Sequence, residues 1–175
     1  MQRIMIIRHA EKPARGSEEQ AVDGQGRADA SGLSVRGWQR AGALVPFFAP
    51  RAHSGADPRI VAPSDIFAAA SHPRSQRPAL TVSPLADALG LRVQADLRSG
   101  HDEAELVRRA AQAEGAVLVC WRHETIHRFG PLLGLPQTED HPWDEDCYDA
   151  VWLFARDGEG WRWVIGKQAL LAGDA

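Results

Sequence analysis

Residues 3–9 read RIMIIRH, and they decide the fold because the run from Ile4 to Ile7 is apolar at every position. A strand of this composition buries both of its faces, which is typical of a parallel sheet covered by helices on each side. The strand leads directly into Arg8 and His9, so two basic side chains are expected at its carboxyl end.

Two more apolar runs repeat this pattern farther along the chain. Residues 66–70 read IFAAA and precede the polar segment SHPRSQR, whereas residues 116–121 read AVLVCW and precede Arg122 and His123. Helical patterns lie between the runs, which favours an α/β fold, a three-layer sandwich with a mainly parallel central sheet. Alternating residues on both sides of a turn near Gly158 predict a hairpin that supplies antiparallel edge strands.

Four segments have helical periodicity. Ser34 is placed to cap a helix that runs to Phe48, and segments 102–113 and 124–133 are predicted as two further helices. Segment 78–89 contains Pro84, so we expect that helix to divide there, with Ser83 capping its second piece. The length of the chain predicts one domain, residues 1–175.

The composition excludes several classes of protein. The 175 residues are 44% hydrophobic and 25% charged, with a formal net charge of −3 and a pI near 6.1. These values are ordinary for a globular domain and disfavour nucleic-acid binding, and no apolar run is long enough to span a bilayer. The N-terminus has no signal-peptide pattern, and Cys120 and Cys147 form no disulfide framework, so we expect a cytoplasmic protein.

The polar residues after the three apolar runs are mostly basic. Parallel neighbouring strands would bring two histidines and several arginines together at the sheet edge where α/β proteins bind ligands. Like charges repel unless an anion lies between them. A phosphate monoester fits, because arginine forks match phosphate oxygens and a helix beginning near Pro78 adds backbone donors. One histidine would attack phosphorus while the other stabilises the developing charge.

These segments resemble, in order, the motifs of the histidine phosphatase superfamily, also called phosphoglycerate mutase-like. The opening strand of that family ends in Arg-His-Gly, a later strand and serine lead to an arginine followed four residues on by threonine, and another strand ends in a second histidine. The similar segments here are IMIIRHAEKP (4–13), LSVRGWQRA (33–41), ASHPRSQRPALTVSPLADALGL (70–91) and GAVLVCWRHETI (115–126). The resemblance is to the small bacterial, branch-1-type members.

Two of these segments contain further matches to the family pattern. Arg77 is followed four residues later by Thr81, so Arg77 is preferred for the pocket over its rival Arg74. The first helix of the family usually carries glycine and arginine or glutamine at the spacing that Gly37 and Arg40 have here.

The resemblance implies a metal-independent phosphomonoesterase, similar to the histidine acid phosphatases, without a cofactor. His9 would be the nucleophile and form a phosphohistidine, which water then hydrolyses. Arg8, Arg77 and His123 would hold the phosphoryl group. Ala10 stands where the family usually has glycine.

A carboxylic acid must also protonate the leaving oxygen. Asp102 is preferred, because the family often takes this acid from a loop after the second arginine, and Glu103, Glu124 and Glu11 are its rivals. The chain has no large lid insertion, which favours a phosphatase over a mutase. We expect a small phosphorylated substrate or a phosphoprotein as the partner, with the oligomeric state open.

Two alternatives belong to other classes of protein. Residues 123–127 read HETIH, the H-E-x-x-H pattern of zinc hydrolases, in which His123 and His127 bind the metal. That pattern lies in the middle of a helix, whereas here it follows a predicted strand, and Leu133 stands where the longer pattern has a third histidine, which leaves distant Glu145 as a ligand. The second alternative is a member of the fold that binds a phosphorylated ligand without turning it over.

Overall fold

The computed structural model describes residues 2–49, 57–158 and 160–174. The elements of this part of the chain alternate between strands and helices, as the sequence predicts. In chain order they are β1 (Gln2–Arg8), α1 (Val35–Phe48), β2 (Asp65–Ala69), α2 (Arg77–Leu89), β3 (Val93–Leu97), α3 (Glu103–Gln112), β4 (Ala116–Trp121), α4 (His123–Ile126), α5 (Phe129–Leu132), β5 (Ala150–Asp157) and β6 (Gly160–Lys167). A 3₁₀ turn at Pro136–Asp140 follows α5.

The strands of the described residues form one sheet in the order β3-β2-β4-β1-β5-β6. Strands β3, β2, β4 and β1 are mutually parallel, β5 is antiparallel to β1, and β6 completes a hairpin with β5. The predicted α/β fold with a mainly parallel sheet and an antiparallel edge is therefore confirmed. No helix in this part of the chain is long and apolar enough to cross a membrane.

Strand β1 contributes alternate residues to two separate apolar layers. Ile4 and Ile6 pack in the layer that contains α3, α4 and α5, whereas Met5 and Ile7 pack in the layer that contains α1 and α2. All four side chains are at most 1% exposed, and each buried side chain of this size stabilises the fold by about 1.5–3 kcal/mol. The double burial of β1 thus fixes the three-layer architecture.

The predicted division of the helix at Pro84 is wrong, because α2 continues through it. Proline cannot donate the backbone hydrogen bond to the carbonyl four residues earlier, which belongs to Leu80. The Ser83 hydroxyl donates to that carbonyl instead, with 3.0 Å between the oxygens. Ser83 therefore compensates for the proline inside the helix and does not begin a new one.

The helix predicted at 124–133 is divided into α4 and α5. Pro131 lies in α5 and cannot donate to the carbonyl of His127, four residues earlier. The Thr138 hydroxyl of the following 3₁₀ turn lies 3.4 Å from that carbonyl and 3.1 Å from the Leu135 carbonyl, and its one hydrogen is shared between them. The prediction of one continuous helix is wrong, since Pro131 removes a helical hydrogen bond where α4 and α5 meet.

The segment after β1 lies against the first turn of α1. Ser34 caps this helix as predicted, because its hydroxyl accepts a hydrogen bond from the Gly37 amide at 3.0 Å. A Cβ atom on Gly37 would lie 2.3 Å from the carbonyl oxygen of Glu11. Only glycine permits this close approach, which also places Glu11 next to Arg40 of the same helix.

We expect Gly37→Ala to destabilise the protein by about 2–3 kcal/mol, because the new methyl group displaces the backbone of Glu11. Gly42→Ala is the matched control in α1, since its Cβ meets nothing within 4 Å and its helix propensity improves by about 1 kcal/mol. Urea unfolding of both variants measures the difference. Equal effects of the two substitutions would contradict the close contact between α1 and the β1 loop.

Candidate active site

The carboxyl ends of β2, β4 and β1 lie side by side at one edge of the sheet. Arg8, the last residue of β1, is the register partner of Trp121, the last residue of β4. The His9 amide then donates to the Trp121 carbonyl at 3.2 Å, so the backbone stays paired one residue beyond the strand. This topology brings the Arg8–His9 and Arg122–His123 pairs to the same edge, as the sequence predicts.

His9 is a buried, neutral imidazole with a defined tautomer. Its Nδ1 atom lies 2.8 Å from the carbonyl oxygen of Ala10, which can only accept, so Nδ1 carries the hydrogen and Nε2 keeps its lone pair. Burial lowers the pKa of His9, the positive charges of Arg8 and Arg77 and the nearby His123 add to this effect, and together they bring the pKa to about 3. The imidazole is thus held in the form that can act as a nucleophile.

Arg8 is 1% exposed and is surrounded by neutral groups. Its Nη1 donates to the backbone carbonyls of Glu145 and Cys147, its Nη2 donates to the Tyr148 hydroxyl at 3.2 Å, and its Nε has no partner among the described residues. The guanidinium carbon lies 3.9 Å from the centre of the Tyr148 ring. Burial lowers the pKa of Arg8. Neutral partners orient this cation without neutralising it, so its charge acts on the pocket.

Arg77 begins α2 and is also held by neutral acceptors. Its Nε donates to the Gly32 carbonyl at 2.9 Å and its Nη2 to the Ala30 carbonyl at 2.8 Å. Thr81, one helical turn later, donates its hydroxyl to the Arg77 carbonyl at 2.7 Å and accepts from the Ala10 amide at 2.8 Å. The four-residue spacing of arginine and threonine therefore joins the start of α2 to the residue after His9.

His123 begins α4, and its Nδ1 atom is buried with no hydrogen-bond partner in the described part of the chain. The nearest carboxylate oxygen, Oε2 of Glu124, is 3.4 Å away without the geometry of a hydrogen bond. Burial lowers the pKa of His123, and the charge of Arg8 lowers it further. His123 is thus a polar group with unused hydrogen-bonding capacity beside His9 and Arg8.

Two of the four candidate proton donors are bound to other parts of the protein. Both oxygens of Glu11 accept from Arg40, at 2.7–3.0 Å, and Arg36 adds a third donor. The buried Glu103 accepts from the Gly100 amide at 2.6 Å and from the Trp121 indole at 3.1 Å. These carboxylates stabilise the structure around the site.

The remaining two candidates differ in their contacts. Asp102 accepts from the backbone amide of Arg98 at 2.8 Å and from its guanidinium at 3.3 Å, and these bonds lower the pKa of Asp102. A proton donor needs the opposite shift. Glu124 is 60% exposed and adjoins His123, and its negative charge acts on Arg8. Asp102 is thus bound to Arg98, whereas Glu124 lies beside His123, and the identity of the proton donor stays a prediction.

Tyr148 is a site residue that sequence reasoning missed. Its ring is T-shaped to the His9 imidazole, with 6.3 Å between ring centres, and its hydroxyl accepts from Arg8. Burial raises the pKa of Tyr148. The available signal was its position, since the only tyrosine of the sequence lies two residues before β5, the strand that pairs with β1.

The zinc pattern has no complete ligand set in the structure. His123 is the first residue of the one-turn helix α4 and His127 follows its end, so the pattern is not in the middle of a helix. Within residues 2–49, 57–158 and 160–174, no three histidine, cysteine, aspartate or glutamate side chains are grouped as a metal site requires.

Comparisons with known proteins bear on the fold. No protein-family model and no curated protein sequence matches the chain. Among solved structures, a phosphoserine phosphatase from Entamoeba histolytica is 12% identical, with 98% of this chain and 100% of that one covered and a TM-score of 0.60. A mycobacterial glucosyl-3-phosphoglycerate phosphatase is 15% identical (95% and 98% covered, TM-score 0.56), and an α-ribazole phosphatase from Shigella flexneri is 13% identical (99% and 100% covered, TM-score 0.56).

All three proteins are members of the histidine phosphatase superfamily. This chain has the histidine phosphatase fold. The fold that the motif resemblance implies is therefore confirmed. In the histidine phosphatase fold of this chain, His9, Arg8, Arg77 and His123 occupy one edge of the sheet, and their catalytic roles stay predictions.

The lowered pKa of His9 predicts a loss of stability in acid. Below its ordinary pKa of 6.5 the unfolded chain protonates His9, whereas the folded protein does so only near 3, so the free energy of unfolding falls as the pH falls through this window. Between about pH 7 and about pH 5 the wild type should lose about 2 kcal/mol more than His9→Gln, which lacks the imidazole.

Urea unfolding at both pH values measures this difference. His101→Gln removes an exposed loop histidine and is the control for the loss of one histidine. If wild type and His9→Gln lose the same stability between the two pH values, His9 is not held neutral by the fold.

Proposed function

We propose that the protein is a metal-independent phosphomonoester hydrolase that acts through a phosphohistidine on His9. The proposal rests on the pairing of two groups. His9 is neutral, with a free lone pair on Nε2. The buried Arg8 beside it has no carboxylate partner among the described residues. A neutral nucleophile and an uncompensated cation are what attack on a phosphate dianion requires.

The first chemical step transfers the phosphoryl group to His9. Nε2 forms a bond to phosphorus while the bond from phosphorus to the leaving oxygen breaks, and Arg8, Arg77 and His123 bind the other phosphate oxygens. The imidazole gains positive charge in this step. The carbonyl of Ala10, which accepts from Nδ1 at 2.8 Å, stabilises that charge because its dipole already points at the ring.

The second step regenerates the enzyme. Water attacks the phosphohistidine, the bond between Nε2 and phosphorus breaks, and His9 returns to its neutral form. We assign Glu124 as the acid that protonates the leaving oxygen and as the base that then accepts a proton from water. Among the four candidate carboxylates, Glu124 adjoins His123 and is not bound by an arginine in the described part of the chain.

The solved structures support phosphomonoesters as the substrate class. The matched phosphoserine phosphatase was crystallised as a mutant with phosphoserine, and the mycobacterial phosphatase was crystallised with VO3. The substrate proposed here is a small phosphorylated molecule or a phosphoprotein, and the proposed location is the cytoplasm.

The test is release of inorganic phosphate from a panel of phosphomonoesters by wild type and His9→Ala. We expect release by the wild type, with and without a chelator, and a loss of about 10³-fold or more in His9→Ala, because the nucleophile is gone. His101→Ala, in an exposed loop, is the matched control and should keep full activity.

Three results would contradict the proposal. Full activity of His9→Ala would exclude His9 as the nucleophile. Inhibition by a chelator would favour the zinc hydrolase, with His123 and His127 as ligands. Tight binding of phosphomonoesters without any release would favour a binding protein with this fold.

The role of Glu124 predicts a dependence on the leaving group. Glu124→Gln should lose about 10²-fold in kcat/KM with an alkyl phosphate, whose leaving oxygen needs a proton, and much less with para-nitrophenyl phosphate, whose leaving oxygen does not. Steady-state kinetics with both substrates give the ratio. If Asp102→Asn shows this pattern and Glu124→Gln does not, Asp102 is the acid.

A further inference from the structure

A second cleft, of about 560 Å³, opens beside the phosphate pocket beyond the ends of β2, β3 and β4. Three arginines and one histidine line it, together with small residues and no carboxylate. We call it the arginine cleft, and it consists of His72, Arg74, Arg98 and Arg122. Its charged groups come from the ends of three different strands, so the fold places them together.

Most of the positive charge in the arginine cleft is uncompensated. Arg74 and Arg122 form no ion pair with a carboxylate in the described part of the chain. Arg98 is paired with Asp102 at 3.3 Å, but its side chain is 69% exposed, so water screens the pair. Cations held together in this way repel one another, and an anion between them relieves the repulsion.

Hydrogen bonds position the cleft residues. The backbone amide and carbonyl of His72 pair with those of Ser75 at 3.1 and 2.9 Å, and Nδ1 of His72 accepts from the Arg74 amide at 3.2 Å. This tight turn presents Arg74 at the rim. The Arg122 guanidinium lies against Nε2 of His72 on the other side. Since Nδ1 of His72 accepts, Nε2 carries a hydrogen and faces another donor, so an anion that accepts from both groups would relieve this contact.

The arginine cleft and the His9 pocket share loops. Arg122 immediately precedes His123, and the turn that carries Arg74 leads into Arg77. The two sites also interact electrostatically. Burial lowers the pKa of Arg77, and the positive charge of Arg122 lowers it further. A molecule bound through its phosphate at His9 therefore has the arginine cleft as its neighbour.

We propose that the arginine cleft binds a second anionic group, a carboxylate or a second phosphate, of a substrate whose phosphomonoester lies against His9. This inference rests on the proposed function, and it narrows the substrate class to phosphomonoesters that carry another negative charge. Arginine forks at Arg74 and Arg122 match both anions, and the planar guanidinium binds either in a bidentate manner.

The test compares substrates that differ only in that second charge. Phosphoglycolate and its amide form a short pair, and para-carboxyphenyl phosphate and para-carbamoylphenyl phosphate form a longer pair of nearly equal shape. We expect the wild type to favour the acid of at least one pair by about tenfold or more in kcat/KM, because a charge-assisted hydrogen bond replaces a neutral one. The bisphosphate para-phenylene bisphosphate separates a preference for phosphate from a preference for carboxylate.

Variants locate the preference in the cleft. Arg74→Gln and Arg122→Gln should each reduce kcat/KM about tenfold for the preferred anionic substrate and leave the amides nearly unchanged. Arg92→Gln, at an exposed arginine outside the cleft, removes the same charge and should keep the preference. Thermal unfolding followed by circular dichroism confirms that the variants are folded.

The outcomes distinguish this inference from the proposed function. Equal turnover of the neutral and anionic members of both pairs, with no gain for the bisphosphate, overturns the arginine cleft as an anion site and leaves the phosphatase intact. A preference that survives in both arginine variants overturns it as well. No turnover of any substrate overturns the proposed function and this inference with it.

Discussion

The burial of β1 on both faces is the constraint on which the site depends. Because β4 and β5 pair with its edges and helices cover its faces, Arg8 and His9 leave the strand inside the protein. Desolvation then disfavours a proton on the imidazole, and Arg8 increases that effect. A reactive neutral histidine beside a cation is thus a consequence of where the strand ends.

The same architecture keeps negative charge away from His9. Glu11 lies two residues beyond the histidine and would compensate the positive charge of the pocket if it were free. Arg40 binds both of its oxygens, and Asp174 binds Arg40 in turn, so the carboxylate is held in a separate network with α1. Gly37 permits that arrangement by allowing the helix to approach the Glu11 backbone. The loop after β1 therefore fixes the position of the site against α1, and its carboxylate does not pair with Arg8 or Arg77, which stay available to bind an anion.

Strongly patterned features of the sequence were predictable and features that depend on tertiary contacts were not. The strands β1 and β4 and the cap at Ser34 were predictable because each has a signal within a few consecutive residues, an unbroken apolar run or a serine just before a helical pattern. Pro84 misled the prediction because the hydroxyl of the preceding serine replaces the missing hydrogen bond. Tyr148 joins the site through a long-range contact with Arg8, for which the spacing along the chain has no signal. The proton donor was equally hard to predict, since Asp102 is bound by Arg98 whereas Glu124 adjoins His123, and the sequence does not show these contacts.

The most direct measurement locates the phosphoryl group on the enzyme itself. The protein is mixed with a phosphomonoester, the reaction is stopped within milliseconds under alkaline conditions that preserve phosphohistidine, and the modified residue is mapped by mass spectrometry, with phosphorus NMR to assign the ring nitrogen. We expect the phosphoryl group on Nε2 of His9, because Nδ1 is bound to the Ala10 carbonyl. Phosphate on Nδ1 of His9, phosphate on His123, or turnover without any phosphohistidine would contradict the assignment of His9 as the nucleophile.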